Sequence, residues 1–333
     1  MSSANRYYQG PPSDHFDGLR FHLAGHTRDK TLTDRLRWNL NGRRVRWPRS
    51  YPSPFADTPP ARVAGLRVVL VGHASFLFQV AGLNILVDPV WSERASPVTW
   101  AGPRRVNPPG IAWSALPPID AVLITHNHYD HLDLPTLARL RQRQVLRVLA
   151  PLGNDAIIDA AIGAGTTEAM DWGGRLDLSP DVAVHLRPAV HWSARGLRDR
   201  RMALWGAFTL TTPAGVIHHV GDTGYGDGST FRAIRAEFGP PRLAVLPIGA
   251  YAPRWFMRDV HMNPDEAVQA LDDLGAAQAL GHHWGTFQLT DEPIDEPAEH
   301  LASALQAGGV PAGRFVALRP GQAWTSFSRI EGE

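Results

Sequence analysis

The chain has 333 residues, 44% of them hydrophobic and 20% charged, enough to bury a large core as one domain or two. Its 33 basic and 32 acidic residues leave a formal charge of +1, so no global field draws a polyanion and nucleic acid is not an expected partner. Cysteine is absent, which excludes disulfides and thiolate ligands, so any metal site has to be built from histidine, carboxylate and water. The N-terminus lacks a basic start followed by an apolar stretch, and nowhere do about 18 uninterrupted apolar residues occur, so cytoplasmic residence is expected.

Residues 1–62 are rich in Pro, Arg, Trp and polar residues ("RWPRSYPSPFADTPP"), with a helical candidate near Leu32 to Leu40. They read as an N-terminal extension packing on a core domain at residues 63–333. From Leu66 the texture changes: "LRVVLV", "SFLFQV" and "LNILVDP" are β-rich runs separated by Gly or Asn, as in successive antiparallel strands. "AVLIT" is a buried strand, and "DLPTLARLRQR" has Pro near a helix start and Leu134, Leu137 and Leu140 at helical spacing. Further strands are expected at "VLRVLAP", "VAVHLRP", "ALWGAFTL", "GVIHHVG" and "RLAVLPIG". Helices are expected at "GNDAIIDAAIG", "STFRAIRAEF", "NPDEAVQALDDLG" and "PAEHLASALQAGG", the last two with polar caps, early acids and a glycine stop. Strands precede helices twice, an order that two packed sheets with helices outside would satisfy.

Between the fourth strand and the first core helix stands "ITHNHYDHLD", Ile124 to Asp133. His126 and His128 lie two apart, so extended backbone points both to one side, and Asp130 and His131 follow where the loop turns. Four zinc-type donors in six residues exceed what one tetrahedral site with an open position would take from a single loop, which suggests two metals sharing it. Donors from elsewhere follow other apolar runs: His191 in "PAVHWS", Asp222 in "HHVGDTGY", and His282 and His283 in "LGHHWGTF". Asp88 and Asp133 are the expected carboxylate partners for ligand imidazoles, and His73 reads as a histidine behind the ligands. His185, His218 and His219 fall inside strand-like runs and read as structural.

The pattern His-x-His-x-Asp-His, followed by His, Asp and His at strand ends, resembles the metallo-β-lactamase superfamily. Within it, "GLRVVLVGHASFLFQV", "DPVWSERASP", "LPPIDAVLITHNHYDHLD", "HWSARG", "GDTGYGDG", "FGPPRLAVLPIGAYAPRWFMRDVHMNPDEAV" and "HHWGTFQLTDE" closely resemble the N-acylphosphatidylethanolamine-hydrolysing phospholipase D family over about residues 66–292. The resemblance implies an α+β fold, a four-layer αββα sandwich with its metals at one edge of the sheets. It implies two zinc ions per chain, one held by His126, His128 and His191, the other by Asp130, His131 and His283, with Asp222 between them. His/Asp ligation also suits manganese or iron.

The implied reaction is attack of a metal-bridging hydroxide on a phosphodiester, releasing an N-acylethanolamine and leaving phosphatidic acid. Asp130, Asp222 and His261 are the implied catalytic positions, and His261, just before a helix start, reads equally as a cap. In "YAPRWFMRDVH", Tyr251, Arg254, Trp255 and Arg258 are substrate-contact candidates, suited to an acyl chain and a phosphate; the same stretch reads as a buried loop with Arg254 paired to a carboxylate. A lactonase or other carbonyl hydrolase on the same fold is the alternative, and a non-catalytic metal-binding protein a third reading. A small-molecule or lipid phosphodiester, a peripheral membrane contact and a homodimer are the expected partners.

Overall fold

A computed structural model describes residues 4–25 and 29–325. Helix α1 (Leu32–Asn41) precedes the core. The first sheet holds β1 (Leu66–Gly72), β2 (Ser75–Val80), β3 (Leu83–Val87), β4 (Ala121–Leu123), β5 (Val148–Pro151) and β6 (Thr167–Met170), with α2 (Leu134–Arg143) and α3 (Asn154–Ile162) on its outer face. The second holds β7 (Arg175–Ser179), β8 (Val182–Arg187), β9 (Ala207–Thr212), β10 (Gly215–His219), β11 (Leu243–Pro247), β12 (Gln278–His282) and β13 (Phe315–Ala317). Helix α4 (Ser229–Phe238) follows β10, the one-turn α5 (Arg254–Met257) lies in the loop after β11, and α6 (Pro264–Leu274) and α7 (Glu296–Ala307) complete the outer layer. Strand β14 (Ala323–Thr325) returns to pair with β1.

In each sheet four neighbouring strands pair antiparallel, β14, β1, β2 and β3 in one and β7 to β10 in the other, and the rest pair parallel through helical crossovers, except that a long loop joins β3 to β4. The result is the four-layer αββα sandwich. Side-chain alternation explains how one strand serves two layers. On β1 and β2, Val68, Leu70, Phe76 and Phe78 point into the cluster between the sheets, while Val69, Val71 and Leu77 join the cluster under α2 and α3. Both faces are dry, so these strands read as continuous apolar runs. From the opposite sheet Leu186, Phe208, Leu210 and Val245 enter the same central cluster, and Phe16 and Phe21 of the N-terminal segment join it too.

Four short strands, β6, β7, β13 and β14, were not expected, and β12 was expected only as the apolar run before His282 and His283. The four lie at or next to the sheet edges and are half-exposed, so "TEAM", "RLDLS", "FVA" and "AWT" carry little apolar periodicity. The strand expected at "ALWGAFTL" begins only at Ala207. Before it, the Leu204 and Gly206 amides donate to Leu152 O and Thr125 O, in loops of the other sheet, at 2.8 and 3.0 Å.

Phe208 is fully buried on β9. Phe208→Ala is expected to lower unfolding free energy by about 3–5 kcal/mol, read as a reduced urea midpoint at unchanged slope.

Candidate metal centre

Every donor picked out along the chain follows the C-terminal end of a strand, and the sandwich brings these ends to one edge. The loop after β4 carries His126, His128, Asp130 and His131; His191 follows β8, Asp222 follows β10 and His283 follows β12. The two sheets therefore contribute from opposite sides. His73, Asp88 and His283 all have left-handed backbone, with φ of 55°, 44° and 65°. Such strain in non-glycine residues is tolerated only where the surroundings over-determine it, and it gathers at functional sites.

The donors form two groups. In the first, His128 Nδ1 lies 2.9 Å from His126 Nε2 and 3.3 Å from His191 Nε2, while Asp222 Oδ2 stands 3.8 and 3.6 Å from the same two nitrogens. In the second, Asp130 Oδ2 lies 3.2 Å from His283 Nε2 and 3.5 Å from His131 Nε2. Asp222 reaches this group as well, Oδ2 at 3.2 Å from His131 Nε2 and Oδ1 at 3.1 Å from His283 Nε2. On a tetrahedral ion with bonds of about 2.0–2.1 Å, donor atoms stand about 3.3 Å apart. The observed separations suit that spacing, and buried His131 Nε2 and Asp222 Oδ1 have no well-formed hydrogen bond within the protein. Nitrogen and carboxylate donors in this arrangement fit divalent metal ions.

Behind the donors, partners fix ring orientation. His131 Nδ1 meets Asp88 Oδ2 at 2.7 Å, and the same carboxylate accepts from the Thr125 amide and hydroxyl. His191 Nδ1 donates to Val260 O at 3.0 Å, and His126 Nδ1 lies 3.0 Å from Thr125 Oγ1. His73 Nε2 bonds Asp130 Oδ2 at 2.9 Å, so it orients a carboxylate and not another imidazole. Asp133 departs from expectation: it touches no ligand imidazole. Its oxygens accept from Trp91 N, Ser92 N, Ser92 Oγ and Thr136 Oγ1, so it ties the loop after β3 to α2.

Charge follows from burial and pairing. Burial pushes His126 and His191 well below the usual histidine range and His128 down to about 4, leaving their lone pairs free. Burial acts the same way on His131 and His283, but Asp222 and Asp130 outweigh it, raising His131 well above the usual range and His283 to about 9. Asp130 and Asp222 are driven up by burial yet held well below the usual carboxylate range by the histidines around them. The second group thus resembles a pair of ion pairs when metal is absent.

Arg195 is a residue sequence reasoning missed. Its Nη1 donates to Asn127 O at 2.9 Å and to Leu132 O at 2.8 Å, bracing both ends of the donor loop. The guanidinium lies 4.0 Å from the Tyr129 ring centroid, and Tyr129 Oη donates back to Arg195 O at 2.9 Å. One residue thereby joins the loop of His191 to that of His126–His131. Only its place in "HWSARG" hinted at this.

His261 is buried beside the donors, its ring 5.1 Å from His191 and 5.3 Å from His283, near enough to form a third donor group with Asp222 and His283. Arg254 donates to His261 O at 2.8 Å and to both oxygens of Glu266 at 2.7 Å, while Glu266 closes the capping box of α6 with Asn263. Its guanidinium therefore fixes the loop bearing His261. Tyr251 Oη donates to Glu296 at 2.7 Å, and Trp255 and Arg258 are exposed. Three further histidines have structural contacts: His218 Nδ1 meets Thr209 Oγ1, and His219 and His282 stack 5.3 Å apart beside Phe76.

A family model described as the beta-lactamase superfamily domain matches residues 83–284. An uncharacterised protein of Mycobacterium tuberculosis H37Rv is 38% identical over 275 residues, covering 81% of this chain and 72% of that one. The N-acyl-phosphatidylethanolamine-hydrolyzing phospholipase D 1 of Caenorhabditis elegans is 34% identical over 278 residues, covering 80% and 77%. Among solved structures, isothiocyanate hydrolase from Delia radicum gut bacteria superposes with a TM-score of 0.62 at 18% identity, covering 78% and 99%, a likeness of fold.

Two outcomes are expected. Arg195→Ala should weaken metal binding about 10–100-fold, with Arg195→Lys recovering part of it because an ammonium reaches one carbonyl more easily than two; competition against a chelating dye measures both. His131 and His283, raised above the usual histidine range, are protonated in metal-free protein at pH 7. Metal must displace those protons, so loading should release about two per chain, and affinity should rise as pH climbs toward 9. Indicator titration in weak buffer reads the release.

Proposed function

The chain belongs to the metallo-β-lactamase superfamily, within it to the N-acylphosphatidylethanolamine-hydrolysing phospholipase D-like family, and is a metal-dependent hydrolase; we propose that it is a dinuclear zinc phosphodiesterase acting on N-acylated phospholipids. The observation that carries this reading is the shared carboxylate of Asp222, whose Oδ2 stands between the two donor groups, 3.6–3.8 Å from His191 and His126 and 3.2 Å from His131, while its Oδ1 lies 3.1 Å from His283. In this reading His126, His128 and His191 hold one ion, Asp130, His131 and His283 the other, and Asp222 both. Imidazole and carboxylate donors at tetrahedral spacing favour zinc. When bound, the ions ionise a water near neutral pH and offset charge gathering on a phosphate.

The remaining chemistry falls to side chains. Burial pushes His261 down to about 3, so the ring is neutral and offers an N–H to a phosphate or leaving oxygen. Arg254 and Glu266 hold that loop in place, and exposed Trp255 and Arg258 provide an apolar face and a cation beside it. Hydrolysis of the bond between phosphorus and the ethanolamine oxygen frees an N-acylethanolamine, which takes the proton, and leaves phosphatidic acid. The choice of lipid rests on likeness to the Caenorhabditis elegans enzyme. Such a substrate sits in a bilayer, so the protein meets it at a lipid surface; among the described residues no helix is long and apolar enough to cross one.

Metal analysis followed by product detection on N-acylphosphatidylethanolamine and a lactone panel tests this reading. N-acylethanolamine should appear; His126→Ala and Asp222→Ala should lose metal and activity together, whereas His261→Ala should keep its metal and lose about 10²-fold in turnover. Intact phosphodiesters at full metal occupancy beside an opened lactone would make the protein a carbonyl hydrolase instead.

A further inference from the structure

Helix α1 buries none of its residues. Leu32, Leu36 and Leu40 recur every fourth position, which places them on one stripe, and they are 76%, 59% and 81% exposed. Core packing does not account for these leucines. The helix is fastened by its other side: Trp38 lies against Phe256 with ring centroids 4.7 Å apart, and its Nε1 donates to Asp291 Oδ2 at 2.9 Å. The apolar stripe therefore faces outward.

Charge identifies what the stripe meets. Residues 29–49 hold seven basic side chains (Lys30, Arg35, Arg37, Arg43, Arg44, Arg46 and Arg49) against two acidic ones, Asp29 and Asp34, in a chain whose total is only +1. At 100° per residue, Arg35 and Arg37 fall on either side of the leucine stripe. Apolar side chains flanked by arginine are the pattern of a helix lying in the interface of an anionic membrane. We propose that α1 docks the protein on a bilayer carrying anionic head groups, with Leu32, Leu36 and Leu40 entering the head-group region.

The position of α1 connects docking to the site. Lys30 pairs with Asp259 at 2.7 Å and Arg37 lies 4.8 Å from the Trp255 ring, so the helix is fixed to α5 and to the loop that leads to His261. A second copy of the chain is the competing occupant, but three leucines and exposed Trp255 cannot by themselves supply the roughly 800 Å² per partner of a stable protein interface. The inference rests on the reading of a lipid substrate and deepens it by assigning the surface that meets the lipid.

The test is flotation of the full-length protein with vesicles of phosphatidylcholine alone and with 30 mol% phosphatidylglycerol. Wild type should float with the anionic vesicles, less so in 0.5 M salt, and hardly with the neutral ones. Leu32→Ser/Leu36→Ser/Leu40→Ser should lose at least about tenfold in partitioning, with melting temperature and hydrolysis of a soluble short-chain phosphodiester unchanged. A triple variant that floats like wild type overturns the docking, as does light scattering showing a wild-type dimer that the variant converts to monomer. Wild type that floats by way of the leucines without cleaving the lipid leaves docking standing and removes the substrate reading.

Discussion

The arrangement depends on one carboxylate shared between two sets of histidines. Asp222 sits where the ends of β10 and the β4 loop converge, and its two oxygens look toward different donors. Buried charge of this kind is costly unless opposite charge and hydrogen bonds surround it. In metal-free protein that cost is met by His131 and His283, whose charged forms are favoured by the same carboxylates they stabilise. Removing either side would leave its partner stranded in a dry interior. The loop, the strand ends and the left-handed backbone at His73, Asp88 and His283 all serve to keep these groups within a few ångströms of each other.

The two sets differ in charge although they share a wall. His126, His128 and His191 are neutral bases with nothing to expel before they bind an ion, whereas the Asp130, His131 and His283 side must first give up protons. The asymmetry arises from neighbours: Asp222, Asp130 and Asp88 stand 3.2, 3.5 and 2.7 Å from His131, whereas Asp222 comes no closer than 3.8 and 3.6 Å to His126 and His191. Identical side chains thus have different affinities for protons according to which carboxylates the fold places beside them.

Much of this could be read along the chain because the chemistry is local. Four donors occupy six residues directly after an apolar strand, and His191, Asp222 and His283 each follow an apolar run whose strand character is plain. Other features are non-local and left little trace. Arg195 is one arginine among many until the fold sets its guanidinium between two carbonyls; His73 finds Asp130 across 57 positions. Asp133, adjacent to the donors, looked like their partner, yet backbone amides at Trp91 and Ser92 take its oxygens because α2 begins there. The edge strands escaped notice because half-exposed segments carry no strict apolar alternation. For Arg254 the two readings of the sequence are separated by Glu266, which occupies its guanidinium.

The distribution of the donors between the sheets has a thermodynamic meaning. His126, His128, Asp130 and His131 hang from the first sheet, and His191, Asp222 and His283 from the second. Neither half of the sandwich owns a complete set. Any ion that settles among them is bonded to both sheets at once and acts as a rivet through the middle of the molecule, so by mass action the cohesion of the halves becomes a function of free metal concentration.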